Sequence, residues 1–225
     1  MRGWWQEIAG LVLPADCAGC GRPRTELCVR CRGRLGGVAT ARRVRPSPEP
    51  PGLPPVWAVG TYADEVRAVI LAHKERGALG LAAPLGAALA GAVRGSGAAG
   101  PLLLVPVPSS RRAVAQRGHD ATVRMARAAA GELRRHGVPA RTLAALRQLR
   151  PVADQSGLPA ARRLANLAGA VAAAPGPAAL LAVAPVVLVD DLMTTGASLA
   201  VAARAVTVAG GRVAGAAVVA GPHDP

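Results

Sequence analysis

A stretch late in the chain, PVVLVDDLMTTGAS, constrains the fold more than any other feature of the sequence. Its first part, Pro185–Val189, is an apolar run with β-branched residues, which is typical of a strand buried inside a sheet. Asp190 and Asp191 follow directly, and a short loop then leads into an alanine-rich helical pattern that begins near Ala197. This order of strand, loop and helix is typical of an open α/β sheet, in which ligands bind just beyond the carboxyl ends of the strands.

The loop after the two aspartates has the composition of a phosphate-binding site. It offers small hydroxyl side chains and backbone N–H groups at the start of a helix, where the helix dipole favours an anion. The residues concerned are Thr194, Thr195, Gly196 and Ser198. Asp190 and Asp191 would repel that phosphate, so they need another partner, such as sugar hydroxyls or a Mg²⁺ ion.

A ligand with a phosphate, a diol and a magnesium-bound group fits this stretch, and phosphoribosyl pyrophosphate (PRPP) is such a ligand. The alternative is a plain capped helix, but a cap needs one Ser or Thr and no acid pair. A Walker A loop is excluded because no Gly-Lys-Ser/Thr sequence follows the strand. The stretch therefore predicts a PRPP site.

All four cysteines of the chain lie within fifteen residues, with the spacing C-x2-C-x7-C-x2-C. They are Cys17, Cys20, Cys28 and Cys31. Each C-x2-C pair can direct two thiolates at one metal, and four thiolates form the closed tetrahedral shell of structural Zn²⁺. Two disulfides are the alternative, which we disfavour because the first residues do not have the pattern of a secretion signal. About twenty residues cannot bury a core, so we expect the metal to hold this module together.

The composition is strongly basic, with a formal net charge of +14 from one lysine and 26 arginines against 13 acidic residues. A basic surface attracts polyanions, so nucleic acid is a candidate partner, although the arginines are spread along the chain. The single lysine, Lys74, indicates a position that needs a compact and flexible ammonium group, with chance as the alternative. With no Phe in the chain, the core must consist of Ala, Val and Leu.

The chain divides by composition into three parts. Residues 1–35 are predicted to form the zinc module, and residues 36–55 form a Pro/Gly/Arg-rich linker without regular structure. Residues 56–225 form the second domain, where strand and helix patterns alternate and predict an α/β fold with a mostly parallel sheet. No apolar run reaches the roughly 18 residues of a membrane-spanning helix, and we expect a cytoplasmic protein.

A second anion site is predicted after the strand Leu102–Pro108. The next segment, SSRRAVAQRGHD, is interpreted as a loop, and arginine forks in a loop at the end of a strand suit a second phosphate group. The residues concerned are Ser109, Arg111, Arg112 and Arg117. The alternative is a solvated basic loop. A further strand is predicted over Arg141–Leu146. The segment from Arg147 to Leu167 is predicted to begin as a flexible stretch, suited to fold over a ligand as a lid, and to become a helix near Pro159.

Five motifs agree in order with one known family. They are the four-cysteine spacing; Tyr62, Ile70, Lys74, Arg76 and Gly77; VPVP and RG within Val105–Gly118; Arg150, Gln155, Arg162, Arg163 and Asn166; and VDDLMTTGAS across Val189–Ser198. Together they resemble the ComF family, the ComFC-like competence proteins in which a zinc finger precedes a type I phosphoribosyltransferase domain. The resemblance covers nearly the whole chain.

The resemblance implies a type I phosphoribosyltransferase-like fold and transfer of phosphoribosyl from PRPP to a nitrogen acceptor, with Mg²⁺ and release of pyrophosphate. By this resemblance, Asp190 and Asp191 hold the ribose hydroxyls and act in catalysis, and the hydroxyl loop holds the 5′-phosphate. The segment Ser109–Arg117 faces the pyrophosphate, with Lys74 near it. The family is linked to DNA uptake, which implies competence proteins and single-stranded DNA as partners. The alternatives are a DNA-binding competence factor with a regulatory or vestigial PRPP site, and a regulatory PRPP-binding protein with neither activity.

The chain departs from the family pattern at two places, of which the first is small: Tyr62 lies eight residues before Ile70, where the pattern has seven. Where the family commonly has Q-R-G-F-N-Q, this chain has QRGHDA from Gln116 to Ala121. The change removes an aromatic ring and two amides that are suited to base or hydroxyl contacts. His119, in the aromatic position, is interpreted as a surface histidine rather than an acid–base group.

Overall fold

The computed structural model describes residues 16–150 and 169–222. Within them, eight strands occur: β1 (Arg42–Val44), β2 (Val56–Thr61), β3 (Leu102–Pro106), β4 (Ala140–Thr142), β5 (Leu146–Gln148), β6 (Val171–Ala173), β7 (Val186–Leu192) and β8 (Val213–Gly221). Six of them form one sheet in the order β1-β2-β8-β7-β3-β4. All neighbours in it are parallel except β1 and β2. The predicted α/β class with a mostly parallel sheet is confirmed.

Seven α-helices flank these strands within the described residues. They are α1 (Val29–Arg34), α2 (Asp64–Glu75), α3 (Ala82–Gly95), α4 (Arg111–Arg117), α5 (Ala121–Arg135), α6 (Pro175–Ala178) and α7 (Ala197–Val208). Local sequence explains several of their ends. The carboxylate of Asp120 accepts a hydrogen bond from the Val123 N–H at 3.0 Å and so caps the start of α5. Helix α4 ends at Arg117, and the next residue, Gly118, caps it in the left-handed conformation.

Apolar side chains cover both faces of the sheet. Along β7, Val187 and Val189 pack with α2, α3 and α5, whereas Val186 and Leu188 pack with α7 and the β5–β6 hairpin. This alternation follows the two-residue period of a strand. Helices α3 and α5 lie so close together that a Cβ atom at Gly86 would overlap Ala128. Small residues thus let a core without phenylalanine pack tightly.

The order of the strands produces a crevice between β3 and β7. The chain leaves β3 towards α4 and α5 on one face of the sheet, and it leaves β7 towards α7 on the other face. The connections after two neighbouring parallel strands therefore diverge at their carboxyl ends. Such a reversal is where ligands bind in open α/β sheets.

Three predicted segments differ from the structure. Residues 36–55 were expected to lack regular structure, but they contain a 3₁₀ turn (Val38–Thr40) and β1, because Val44 is buried and β1 pairs along β2. The strand predicted over Arg141–Leu146 is two short strands, β4 and β5, which belong to different sheets. The segment after β3, interpreted as a loop, contains helix α4. The predicted domain limits stay predictions.

Some predictions lie outside the described residues. One is a short amphipathic helix near Trp4 and Trp5, which the apolar stretch from Ile8 to Leu13 predicts. The other is most of the lid, including Gln155, Arg162, Arg163 and Asn166. Among the helices that the structure describes, none combines the length and the apolar composition that a single membrane crossing requires.

Candidate functional site

The four cysteines converge on one point. Their Sγ atoms all lie within 4.8 Å of one another, and Cys20 is the one exposed member of the group. The backbone N–H of Cys28 donates to the Cys17 Sγ at 3.4 Å. Burial acts to raise the pKa of Cys17, but N–H groups of Cys28, Cys20 and Gly19 outweigh it and lower that pKa to about 6. Four clustered sulfurs, with a thiolate favoured at one of them, are compatible with a closed structural zinc site.

The cysteine cluster packs against helix α2. Cys31 is completely buried and shares one hydrophobic cluster with Val66 and Ile70 of that helix. An ion pair joins the Arg30 Nη2 to the Glu65 Oε1 at 3.2 Å. The cluster therefore packs against the same helix whose last turn carries Lys74.

A cavity of about 470 Å³ opens at the carboxyl end of β7. It is lined by all the residues that the sequence assigned to PRPP binding, together with Lys74. They are Asp190, Asp191, Thr194, Thr195, Gly196 and Ser198. The structure thus brings two acids, a hydroxyl loop and the single lysine of the chain into one pocket.

Backbone geometry explains the glycine of this loop. Gly196 lies at the N-terminal end of α7 with φ +73°, a conformation that costs other residues free energy. A Cβ atom there would also lie 2.9 Å from Leu53, whose segment covers the loop. Because glycine has no side chain, this N-cap position supplies no side-chain hydrogen bond to the first turn of α7. The backbone N–H groups in the first turn of α7, together with the positive end of the helix dipole, are suited to bind an anion.

Lys74 and the two aspartates form a charged group at the floor of the cavity. The Lys74 Nζ lies 2.7 Å from the Asp191 Oδ2, and both side chains are largely buried. Burial would lower the pKa of Lys74, but the charges of Asp191 and Asp190 outweigh it and raise that pKa. Burial and the neighbouring Asp191 charge raise the pKa of Asp190 well above its ordinary value. Two carboxylates face one ammonium, so the group would be stabilised by a further cation or by hydroxyl donors.

A second cavity, of about 260 Å³, adjoins the first and shares Lys74, Asp190 and Ser198 with it. Ser109 and Arg117 line its other side. The sites predicted for the two ends of the ligand are therefore contiguous.

Arg117 is held in this second cavity by one neighbour. Its Nε lies 3.2 Å from the Glu75 Oε2. Its Nη1 atom is buried and has no hydrogen-bond partner among the described residues. An unsatisfied buried donor is unfavourable, and an anionic oxygen would satisfy it.

The other two arginines of the predicted anion site line neither of these two cavities. Arg111 lines a third cavity of about 370 Å³, which shares Val107, Pro108, Ser109 and Gln148 with the second, and Arg112 lines none of the three. Both are exposed. Because the segment is helical rather than a loop, its first residues face outwards, and Arg117 in the last turn faces α2.

Several residues of the site carried no sequence signal. Glu75 is the ion-pair partner of Arg117. Gln148 lies in strand β5, and its Nε2 donates to the Pro108 carbonyl oxygen over a distance of 3.3 Å. His119, interpreted as a surface histidine, is only partly exposed and contacts two backbone carbonyls. These contacts depend on which strands and helices are neighbours, which no local pattern indicates.

The crevice thus holds acids, a lysine, an arginine and a helix N-terminus within two adjoining cavities. This combination matches an anionic ligand that also carries hydroxyls or a metal ion. Comparison of the sequence with protein-family models and with curated proteins finds no match.

Proposed function

We propose that this protein binds PRPP and is a type I phosphoribosyltransferase with the architecture of the ComF family, which transfers phosphoribosyl to a nitrogen acceptor. One observation carries the proposal. Lys74, both aspartates and the hydroxyl loop line one cavity at the crevice between β3 and β7, next to the cavity of Arg117. An ordinary capped helix explains neither the acid pair nor the partly buried lysine that is paired with it.

The first cavity suits the ribose 5-phosphate part of the ligand. The loop from Thr194 to Ser198 offers hydroxyls and the N-terminal end of α7 to the phosphate. Asp190 and Asp191 accept hydrogen bonds from the two ribose hydroxyls. This assignment separates the acids from the phosphate that they would repel.

The second cavity suits the pyrophosphate. Lys74, Ser109 and Arg117 line it, and Arg117 brings the unsatisfied donor at Nη1. The acid pair fits Mg²⁺ by its chemistry, since carboxylate oxygens are the ligands this ion prefers. Bound Mg²⁺ would neutralise charge on the pyrophosphate.

The proposed reaction needs little covalent participation by the protein. A bond forms between the acceptor nitrogen and C1 of the ribose, while the C1–oxygen bond breaks and pyrophosphate leaves with the electron pair. The acceptor then loses its proton to water or to a nearby base. Asp190 and Asp191 hold the ribose in place and stabilise the positive charge that develops on it.

Calorimetric titration with PRPP, with and without Mg²⁺, tests this proposal. We expect magnesium-dependent binding to the wild type, and a loss of about 100-fold in Asp191→Asn, which removes a charge-assisted hydrogen bond to the ribose and the partner of Lys74. Glu49→Gln is the matched control, because Glu49 is exposed and lines neither cavity. Unchanged PRPP affinity in folded Asp191→Asn would refute the site.

A second candidate function, binding of single-stranded DNA, is favoured by the surface of α5. This helix carries four exposed arginines and one glutamate. The arginines are Arg124, Arg127, Arg134 and Arg135. Arg111 and Arg112 of the preceding α4 are exposed as well, so two consecutive helices carry exposed arginines.

Titration with oligothymidylate at several salt concentrations tests the DNA-binding function. Contact with phosphates predicts that the logarithm of the affinity falls linearly with the logarithm of the salt concentration. We expect the double variant Arg124→Gln, Arg127→Gln to make this slope shallower by about 1.4, since each lost contact to a single strand contributes about 0.7. Absence of binding at low salt would rule this function out.

A further inference from the structure

We propose that His119 is a positioning residue of the pocket, which holds Lys74 and Arg117 in place through their backbones. This inference rests on the proposed function. The His119 Nδ1 lies 3.0 Å from the Arg117 carbonyl oxygen, and its Nε2 lies 3.2 Å from the His73 carbonyl oxygen. His73 directly precedes Lys74 in the sequence. One imidazole ring thus bridges the two chain segments that carry the cations of the second cavity.

The two carbonyls that His119 contacts lie at helix C-termini. Helix α2 ends at Glu75 and α4 ends at Arg117, so both oxygens belong to the last four of a helix, which lack an intrahelical partner. A neutral imidazole donates one hydrogen bond and a protonated one donates two. His119 therefore caps one of the two helices when its ring is neutral, and both when the ring is protonated.

A second histidine extends this bridge. The buried ring of His73 lies 3.2 Å from the Ala78 carbonyl oxygen through Nδ1 and 3.3 Å from the Ala121 carbonyl oxygen through Nε2. The centroids of the two histidine rings are 6.0 Å apart. Together the rings join the end of α2 to the end of α4 and the start of α5.

Side-chain contacts alone would hold Lys74 and Arg117 poorly once a ligand enters. The Glu75 side chain is 49% exposed in its pair with Arg117, and such exposed pairs are weak. The pair between Lys74 and Asp191 must loosen if Lys74 turns towards pyrophosphate. The backbone bridge through His119 is unaffected by either change, so it keeps both cations at the cavity.

Three substitutions at His119 separate its contacts. His119→Leu has a similar volume and no donor. His119→Gln places an amide N–H near the position of Nε2, and His119→Asn places one near Nδ1. His136→Leu is the matched control, because His136 is exposed at the end of α5 and lines neither cavity of the site.

We expect His119→Leu, which loses both contacts, to weaken binding of Mg²⁺–PRPP and of inorganic pyrophosphate about tenfold, which is about 1.4 kcal/mol. His119→Gln and His119→Asn each keep one of the two contacts, so each should weaken binding by about threefold. The control should match the wild type. Wild-type affinity in His119→Leu, or equal losses in all three variants, would overturn the role of the bridge.

Hydrogen exchange of the ligand-free protein gives a readout that does not depend on PRPP. The amides of Arg76 and Ala78 both donate to the Ala72 carbonyl oxygen at 3.2 Å in the last turn of α2. We expect these amides to exchange faster in His119→Leu, with no change in the amides of β7. Unchanged exchange would overturn the inference. If the wild type bound no PRPP while exchange increased as expected, the proposed function would fail and the bridge would stand.

Discussion

The cysteine cluster and the cavity at the end of β7 each bring several chemically reactive or charged side chains together, but they assemble in opposite ways. The four cysteines come from one stretch of fifteen residues, and their sulfurs lie within 4.8 Å of one another. In the pocket, Lys74 and Asp191 are 117 residues apart and form an ion pair of 2.7 Å. Spacing alone therefore predicts the first site, whereas the second requires the order of the strands.

The two regions also differ in how their negative charge is compensated. A metal held by four sulfurs is enclosed, so its main effect is on stability. The two acids face one lysine in an open cavity, so the lysine does not neutralise both of them, and a bound ligand or cation can interact with the second. We therefore expect changes in the cluster to affect folding, and changes in the pocket to affect binding more than folding.

The largest effect is expected from Cys31→Ser. Cys31 is completely buried, and loss of a metal site is among the most destabilising single changes, at about 4 kcal/mol or more. This corresponds to a fall in Tm of about 10 °C. Metal analysis and thermal unfolding measure both effects, and a chelator should lower the Tm of the wild type similarly. A variant with the zinc content and Tm of the wild type would contradict a structural metal.

A smaller loss of stability is expected from Gly196→Ala, in the loop that lines the pocket. Gly210 is the matched control, since both residues have positive φ (+73° and +82°) but a Cβ atom meets Leu53 only at Gly196. We expect Gly210→Ala to cost about 1 kcal/mol of strain. Gly196→Ala should cost about 2 to 3 kcal/mol, because overpacking adds to the strain. Urea unfolding measures both, and equal effects would show that the segment around Leu53 does not rest on the loop.

The smallest effect has the opposite sign. Because the pKa of Asp190 is raised in the folded protein, the folded state binds its proton more tightly than the unfolded state does. The protonated Asp190 therefore contributes to the free energy of unfolding at low pH, and this contribution is lost as the pH rises through the pKa of Asp190 in the folded protein. We expect Asp190→Asn to raise the Tm at pH 7 by about 2 °C and to leave it unchanged near pH 3, below the ordinary Asp pKa.

Thermal unfolding of the Asp190→Asn variant at both pH values checks this sign. Asp191→Asn is the control, because it removes the partner of Lys74 and should lower the Tm at pH 7. A lower Tm for Asp190→Asn at pH 7 would mean that the acid pair stabilises the fold rather than serving a ligand.

The strands with unbroken apolar runs were predictable, and the short irregular segments were not. Strand β7 follows from its valines, and the loop to α7 follows from its hydroxyls and Gly196. Helix α4 was missed because it has seven residues and none of them is buried, so it lacks the apolar stripe that marks a helix. Strands β4 and β5 were predicted as one, because the break between them is imposed by two different sheets.

The sequence by itself determined the chemistry of each local site: four thiolates at metal-binding spacing, and two acids followed by a hydroxyl loop. These groups are neighbours along the chain, so any fold with the same local structure keeps them together. The tertiary structure alone decided that Lys74 faces Asp191, and that Arg117 lines the pocket while Arg111 and Arg112 do not. The physical reason is that strand order and the rotation of α4 about its axis result from packing across the whole core, which no short stretch specifies.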